Sequence, residues 1–409
     1  MVRAARWLVV AVFVFAAAGS AAAADSMASA SQRIVIFREG VSPAARVTIA
    51  SQSGGSVVRE LRLINAVVIR ATATLLQSAE TSLKTRGEVL RVIDDPRVNW
   101  LSAAPATVAD LPWPTMGEFL KGKLAPKTGK PIPAAGQETP WGIVRVNAPA
   151  AWTATKGRGV KVAIVDTGVD FDHPDLKAAV AGGWSAVDKE NPGNFKDDNG
   201  HGTHVAGTIA ARDDGAGVVG VAPEASLYGV KVLDKDGSGN FSDVIAGMEW
   251  TVTNKMQVVN MSLGASRGNE ALKAAVEAMA KAGVILIAAA GNSGSSVGYP
   301  AAYPQAIAIA ASDPNDKVAY FSSRGPEVDF IAPGVSITST FLGGGVKALS
   351  GTSMACPHAA GLAALAVSAK GVNDPETLRS LFKTAAAPLP DAPPEEQGAG
   401  LVDAAKLVR

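Results

Sequence analysis

The sequence contains little cysteine, few aromatic side chains and little charge. Of its 409 residues one is a cysteine, Cys356, 5% are aromatic and 18% are charged. A single cysteine excludes a disulfide within the chain and any zinc or iron–sulfur site built from several cysteines. So few charges also exclude a disordered acidic or basic protein. Because 47% of the residues are hydrophobic, the chain can bury a large core.

The chain also lacks a strong net charge, although two of its regions carry net charges of opposite sign. Residues 25–136 carry 14 basic and 9 acidic side chains, whereas residues 137–409 carry 22 basic and 28 acidic ones. The larger part therefore has the same sign as a phosphate backbone. This distribution argues against a protein whose main partner is a nucleic acid.

Long apolar runs are absent except at the N-terminus. Residues 1–24 combine two early arginines, an apolar run over 7–19 and the small residues Ala22, Ala23 and Ala24, which is typical of a cleaved signal peptide. The alternative is a membrane anchor, but a spanning helix needs about 20 apolar residues. The run reaches that length only if its alanine tail is counted. We expect an exported protein, extracellular or periplasmic, with no membrane attachment after the signal is removed.

The rest of the chain divides into three regions by composition and pattern. Residues 25–102 predict a small α+β unit, with strands over 33–37, 65–70 and 89–93 and helices over 44–53 and 75–84. Residues 103–136 are rich in alanine, proline and lysine and predict an exposed linker of the kind that proteases cut. Residues 137–409 form the third region, in which strands and helices alternate.

This alternation predicts a doubly wound α/β domain of three layers, with a mostly parallel sheet between helices. Residues 322–345 are expected to be more irregular. The predicted strands cover residues 160–165, 226–232, 258–262, 284–290 and 306–311, and the predicted helices cover 201–211, 242–253, 269–282, 353–368 and 375–385. In such sheets the active site lies beyond the carboxyl ends of the strands.

Three segments place reactive side chains at that edge. Asp166 follows a strand, His201 begins a helix in His-Gly-Thr-His, and Ser353 begins another in Gly-Thr-Ser-Met-Ala. Taken singly, the Asp or the Ser is more often a turn or helix cap. His201 and His204, close to two aspartates, also permit a metal site, but no His-Glu-x-x-His motif is present.

Taken together and in the order Asp, His, Ser, these segments resemble the subtilisin-like serine proteases (subtilases, peptidase S8). Residues 288–292 (Ala-Ala-Ala-Gly-Asn) and 260–264 (Asn-Met-Ser-Leu-Gly) match two further motifs of the family. The resemblance covers residues 137–409. It implies a serine endopeptidase in which Asp166, His201 and Ser353 form the catalytic triad and Asn292 donates to the oxyanion.

Two other functions are consistent with parts of this pattern. A secreted binding protein could keep the fold and lose catalysis, but all four catalytic positions are intact. An α/β-hydrolase esterase would need a Gly-x-Ser-x-Gly elbow, which the sequence lacks, and a different triad order. His204 and Cys356 are expected to be structural side chains in the interior.

The resemblance also implies a cleft that binds substrate as an added β-strand between two segments of the enzyme. Glycines in these segments suit close approach of the backbone. Beside these segments we expect an apolar wall that contacts the fourth residue before the cut. We also expect a pocket with small walls for the residue at the cut. The implied residues are Gly237, Ser238, Gly239, Ser262, Leu263 and Gly264 in the segments, Leu233 and Phe241 in the wall, and Gly264, Ala289, Gly291 and Gly298 in the pocket.

Structural calcium and an inhibitory prodomain are further implications. Gln137, Asp175 and Asp214 match family positions that bind Ca²⁺, with the carbonyls of Arg212, Ala216 and Val218, although the loop over 212–218 could be an ordinary acidic surface loop. Residues 25–102 would be a prodomain that templates folding and then inhibits the cleft. We expect a monomeric zymogen that cuts itself within residues 101–136.

Overall fold

The computed structural model describes residues 31–101, 130–131 and 136–409. The predicted signal peptide and most of the predicted linker lie outside these residues. The chain divides into two compact units, residues 1–96 and residues 97–409. The first unit therefore ends six residues before the boundary predicted at 102, because residues 97–101 belong with the second unit.

The first unit is an antiparallel sheet covered by two helices. Its strands have the order β2-β3-β1-β4. Alternate residues of β1 and β3 (Val35, Phe37, Val67 and Ile69) form its core together with apolar residues of both helices. The elements are β1 (Ser31–Phe37), α1 (Pro43–Gln52), β2 (Ser56–Leu61), β3 (Ala66–Ala71), α2 (Ala73–Lys84) and β4 (Val89–Asp94). The predicted helices and strands are all present, and β2 is an additional strand.

The second unit is built around a large, mostly parallel sheet. In the described part of the chain this sheet has nine strands in the order β19-β20-β16-β15-β14-β13-β8-β11-β9, and only the pair β19–β20 is antiparallel. Its strands are β8 (Lys161–Asp166), β9 (Val180–Ser185), β11 (Ser226–Lys231), β13 (Val258–Met261), β14 (Ile285–Ala289), β15 (Ile307–Ser312), β16 (Phe330–Pro333), β19 (Ala386–Ala387) and β20 (Leu401–Val402). The central strands β13, β14 and β15 are buried on both faces, which is why their sequences are almost entirely apolar, with Asn260 and Ser312 as the exceptions.

Helices cover both faces of this sheet, so the predicted three-layer α/β fold is confirmed. Helix α5 packs against α8, and α6 packs against α7. Asn269 and Asp374 cap α7 and α9 by accepting hydrogen bonds from backbone N–H groups of the first turn. The helices are α3 (Trp141–Arg145), α4 (Ala148–Ala151), α5 (His201–Ala210), α6 (Phe241–Thr253), α7 (Glu270–Lys281), α8 (Thr352–Lys370), α9 (Pro375–Ala385), α10 (Pro394–Gln397) and α11 (Ala404–Val408). None of the helices in the described residues is both long enough and apolar enough to cross a membrane.

The remaining strands form small sheets at the margins of the second unit. They are β5 (Arg97–Asn99), β6 (Lys130–Pro131), β7 (Gly136–Glu138), β10 (Ala216–Val218), β12 (Ser238–Asn240), β17 (Ile337–Phe341) and β18 (Gly345–Leu349). Strand β5 pairs with β12, β7 pairs with β10, and β6 joins the hairpin of β17 and β18.

The structure differs from the sequence-based prediction mainly at β9 and in the region 322–345. Strand β9 has the sequence Val-Ala-Gly-Gly-Trp-Ser, and it was not predicted because glycine is uncommon inside strands. The region predicted as irregular contains β16, β17 and the first residue of β18. Strand β16 is only four residues long and ends at Pro333, so it lacks a recognisable run. This strand forms by pairing with β15, and its own sequence does not predict that pairing.

Candidate active site

Asp166 and His201 lie side by side at the carboxyl edge of the main sheet. Asp166 is the last residue of β8, and His201 is the first residue of α5. The His201 Nδ1 atom is 2.8 Å from Asp166 Oδ1 and 3.0 Å from Oδ2. Asp166 is fully buried and its Oδ1 also accepts a hydrogen bond from the backbone N–H of Thr167 at 2.7 Å. The carboxylate is therefore held in one orientation towards the imidazole.

The electrostatic surroundings of His201 favour its charged form. Burial alone would lower the pKa of His201, but the Asp166 carboxylate outweighs burial and raises the pKa above its ordinary value, with a smaller contribution from Asp197. An imidazole in this setting can accept a proton during a reaction and keep it beside a compensating negative charge.

Asp197 is a buried carboxylate that organises the start of α5. Its oxygens accept hydrogen bonds from the Thr167 hydroxyl, from the backbone N–H groups of Gly200 and Thr203, and from the Thr203 hydroxyl at 2.6–2.9 Å. These bonds connect the end of β8 to the helix that carries His201. Asp197 is one of the two aspartates beside His201 and His204 that permit a metal site in the sequence, although an acid shortly before a helix start is also typical of a cap.

Ser353 lies in the first turn of α8, which packs against α5. Its hydroxyl donates to the backbone carbonyl of Ser262 at 3.1 Å, and the Ser262 hydroxyl donates to the Ser353 carbonyl at 2.8 Å. The Ser353 side chain is half-buried. Among the contacts of the described residues, the Ser353 hydroxyl is therefore hydrogen-bonded to the Ser262 carbonyl and not to His201.

Asn292 is held with its amide nitrogen near the backbone N–H of Ser353. The Asn292 Oδ1 atom accepts hydrogen bonds from both the N–H and the hydroxyl of Thr352, at 2.8 and 2.9 Å. Because the oxygen is engaged twice, Nδ2 is left as the free end of the carboxamide. A Cβ built on Gly351 would lie 3.5 Å from Asn292 Nδ2 and 3.6 Å from the Ser353 nitrogen. Both nitrogens therefore lie within 3.6 Å of one point beside the backbone of Gly351.

Comparison with known proteins agrees with this geometry. A sequence profile described as the Subtilase family, peptidase S8, matches residues 157–400. This chain belongs to the Subtilase family. It is 42% identical to subtilisin E of Bacillus subtilis (strain 168) over 359 residues, which cover 85% of this chain and 83% of that protein. It is also 52% identical over 239 residues to a subtilisin of Bacillus pumilus, covering 57% of this chain and 86% of that protein. These similarities make the protein a serine endopeptidase.

The predicted substrate-binding segments of this subtilase carry an extra strand from its own chain. Strand β5 pairs with β12 in antiparallel register, with Asn99 opposite Ser238 and Val98 opposite Gly239. The pairing continues at Trp100, whose N–H donates to the Gly237 carbonyl and whose carbonyl accepts from the Gly264 N–H, both at 2.9 Å. The segment 97–101 therefore lies between the two edges that the sequence predicted for a substrate.

The Trp100 side chain packs against Phe241, a residue of the predicted apolar wall. Its ring lies 4.7 Å from that of Phe241 between centroids, and its indole N–H donates to the Gly239 carbonyl at 3.0 Å. Trp100 is 1% exposed. A Cβ on Gly237, whose φ is +73°, would lie 2.7 Å from a methyl carbon of Leu101, so glycine at this position permits the close approach. No role for Trp100 was predicted from the sequence.

The other predicted pocket residues also fall near this edge. The Gly298 N–H donates to the carbonyl of Ala290, which precedes Gly291, and a Cβ on Gly291 would lie 3.8 Å from the Gly298 nitrogen. A Cβ on Gly264 would make only an ordinary contact, 3.6 Å from the Tyr299 carbonyl oxygen, so a small side chain would fit at this position. Leu233 of the predicted wall and Leu263 of the predicted substrate-binding segment are both buried.

The residues predicted to bind calcium converge elsewhere in the same unit. The Gln137 side-chain amide nitrogen lies 2.5, 3.0 and 3.2 Å from the carbonyl oxygens of Arg212, Ala216 and Val218. Buried Asp175 accepts from the Val218 N–H at 2.9 Å, and burial, with a smaller effect from Asp214, raises the pKa of its carboxyl group.

Oxygen donors dominate this loop, and a hard cation would fit there once the Gln137 amide is turned so that its oxygen, rather than its nitrogen, faces the three carbonyls. A Cβ on Gly217 would lie 2.1 Å from Asp175 Oδ2, so only glycine lets the carboxylate reach the loop. The described residues contain no cluster of three or more His, Cys, Asp or Glu side chains suited to a metal. The predicted set has only two carboxylates and relies on carbonyl and amide oxygens, which suit Ca²⁺.

His204 and Cys356 have the surroundings of structural side chains. His204 is buried, its Nε2 atom lies 2.9 Å from the Ile337 carbonyl and 3.0 Å from the Lys347 carbonyl, and burial lowers its pKa to about 3. Cys356 is fully buried with its thiol 3.4 Å from the Ile287 carbonyl, and burial raises its pKa. Neither group is placed to exchange protons near neutral pH.

Proposed function

We propose that this serine endopeptidase is exported as a zymogen and cuts peptide bonds with the triad Ser353, His201 and Asp166. The observation that carries the proposal is the buried Asp166–His201 pair at the sheet edge, near a helix start with Ser353 and two N–H donors. In a relative that had lost catalysis, selection would no longer maintain a buried Asp166 carboxylate next to the His201 imidazole. Export is supported by the signal-like residues 1–24.

The proposed reaction begins with attack of the Ser353 hydroxyl oxygen on the substrate carbonyl carbon. A neutral serine is a poor nucleophile, so His201 Nε2 takes its proton as the C–O bond forms. Asp166 keeps the other ring nitrogen protonated and stabilises the imidazolium. His201 then gives the proton to the leaving amine, the C–N bond breaks, and an acyl-enzyme remains on Ser353. Water, activated by the same imidazole, hydrolyses this ester.

Negative charge develops on the carbonyl oxygen in both steps. Asn292 Nδ2 and the Ser353 N–H are proposed to donate to it. The Ser353 N–H also lies at the N-terminus of α8, where the helix dipole favours an anion. Since Thr352 holds the carboxamide in place before substrate arrives, no reorganisation is required at the moment of reaction.

Covalent labelling at Ser353 tests this function. The full-length protein should be treated with phenylmethanesulfonyl fluoride while hydrolysis of casein is followed. We expect one sulfonyl group per chain on Ser353, with activity lost in proportion, because only an activated serine reacts rapidly. Ser350, three residues earlier and exposed, is the internal control and should stay unlabelled. Labelling of both serines alike, or casein hydrolysis that survives labelling, would contradict the proposal.

The zymogen proposal rests on the occupied cleft. Residues 97–101 hold the two substrate-binding segments with backbone hydrogen bonds, as an inhibitor or a substrate would. Residues 25–102 are therefore proposed as a prodomain that acts as the intramolecular inhibitor of a monomeric enzyme, with the processing bond within 101–136. Protein and peptide chains are the substrates.

Structural calcium is proposed at Gln137. Gln137, Asp175 and Asp214 and the three carbonyls of the 212–218 loop would hold the ion, which would offset the charge of the two carboxylates and lock the loop to the start of the second unit. Since β7 carries Gln137 into register with β10, the site would connect segments far apart in sequence.

Chelation tests the calcium proposal. We expect EDTA to lower the melting temperature of enzyme inactivated at Ser353 by about 5–10 °C, because a ligand at about 100 times its Kd adds about 2.7 kcal/mol to stability. An Asp214→Ala variant should melt near the EDTA value with or without calcium. Asp213→Ala, which removes the neighbouring acid paired with Lys156, should keep the response. Equal melting temperatures in calcium and in EDTA of the enzyme inactivated at Ser353, with Asp214 intact, would rule the site out.

A further inference from the structure

The turn before β12 carries an acidic side chain that pairs with the strand lying in the cleft. Asp234 forms an ion pair with the guanidinium of Arg97, at the start of β5. The Asp234 side chain is 22% exposed and that of Arg97 is 52% exposed. The contact is thus open to water at its rim, and a basic residue of another peptide could take the place of Arg97.

Asp234 is held in position before any basic group arrives. Its Oδ1 atom accepts hydrogen bonds from the backbone N–H groups of Asp236 and Ser238 at 2.9 and 3.0 Å. The other oxygen, Oδ2, faces Arg97. Burial alone would raise the pKa of Asp234, but the two backbone N–H groups and the Arg97 charge outweigh it and lower the pKa, so the group is an anion near neutral pH. Lys235 in the same turn pairs with Asp236 instead.

The bound strand makes side-chain contacts of two kinds, polar ones with the turn and an apolar one with Phe241. The side chains of Arg97 and Asn99 both reach the turn, Arg97 at Asp234 and Asn99 at the Asp236 carbonyl, 2.8 Å away. Trp100, three positions after Arg97, is buried against Phe241. Because β5 pairs with β12 through its backbone, these contacts have a set spacing along any strand bound in the same register.

We propose that Asp234 is a specificity-determining residue that selects protein substrates with a basic residue three positions before a buried aromatic residue. This inference rests on the proposed protease function of the same cleft and names the class of peptide that it prefers. Backbone pairing supplies affinity without sequence preference, whereas the carboxylate and the aromatic pocket each recognise one side chain.

Two matched peptides and two matched variants test the inference. Self-processed enzyme should be assayed with an internally quenched peptide containing residues 97–105, Arg-Val-Asn-Trp-Leu-Ser-Ala-Ala-Pro, and with the same peptide carrying Gln in place of Arg. We expect kcat/KM to be about two- to fivefold higher for the Arg peptide at low salt, the range of a solvent-exposed ion pair. The preference should decline in 1 M NaCl because the charges are screened.

Asp234→Asn should abolish this preference by lowering kcat/KM for the Arg peptide alone. The substitution keeps an oxygen for the N–H groups of Asp236 and Ser238, so cleavage of the Gln peptide should not change. A merely structural role of Asp234 would instead lower both values. Asp236→Asn, which removes the neighbouring carboxylate, should retain the preference.

The outcomes separate this inference from the protease proposal. Equal cleavage of the two peptides by the unmodified enzyme, or a preference that survives in Asp234→Asn, would overturn the inference while leaving the protease function intact. Hydrolysis of casein without cleavage of either peptide would also overturn it, because the proposed register would be wrong. Failure to cleave casein and both peptides would contradict the protease function itself.

Discussion

Replacing Ser353 with alanine should reduce kcat by about 10⁶-fold, the size established for the corresponding loss in subtilisin. The substitution removes the atom that would form the acyl-enzyme, so His201 and Asp166 lose the group on which they act. The fold should survive, because the lost hydrogen bond to the Ser262 carbonyl is a single half-buried contact worth about 1 kcal/mol.

The same substitution should also stop maturation. Unmodified protein should convert from the precursor to a shorter form, and the Ser353→Ala chain should stay uncut over the same time course, as followed by gel electrophoresis and N-terminal sequencing. Ser350→Ala is the matched control and should mature normally, since Ser350 is exposed and its oxygen accepts only from the Ser336 N–H among the described contacts. A Ser353→Ala chain that matures at the normal rate would refute the role of this serine.

Replacing Asp166 with asparagine should reduce kcat by about 10⁴-fold while KM changes little. An asparagine amide can donate to His201 Nδ1, which would place the imidazole proton on Nε2 and leave no base to accept from Ser353. The loss falls on the chemical step because Asp166 is fully buried and is proposed to make no contact with substrate. Steady-state kinetics on a peptide substrate measure both constants.

The pH profile gives this prediction a second readout. The neutral form of His201 is the active one, so activity falls when the pH drops below the pKa that Asp166 raises. Removing the carboxylate charge lowers that pKa, and the acid limb of kcat/KM should therefore move to lower pH in Asp166→Asn. Asp172→Asn, which removes an exposed acid paired with Lys196, should leave both rate and profile within twofold. A folded Asp166→Asn enzyme with more than a tenth of normal kcat would contradict the assignment.

Much of the candidate site could be predicted from short segments because each of them also encodes its local structure. The apolar run of β8 ends at Asp166, a glycine precedes the helix at His201, and Gly351 precedes the helix that carries Ser353. A parallel sheet brings strand ends to a common edge, so the order of these elements was enough to predict that the side chains meet there. The same reasoning could not distinguish Asp197 from Asp198, because only the folded loop turns one of them towards Thr167 and Thr203.

Sequence alone was sufficient for the family and the α/β alternation, and it also led to the proposed reactive residues and to the loop that offers carbonyls near Gln137, since all of these are local patterns of residue type and spacing. Only the tertiary structure decided the positions of β9 and β16 in the sheet, the convergence of three carbonyls on one amide, and the burial of Trp100 beside Phe241 with Arg97 at Asp234. These features depend on contacts between residues up to 141 positions apart, as for Trp100 and Phe241. Such contacts are determined by packing and backbone pairing across the whole domain. They therefore cannot be predicted from any single segment of the sequence.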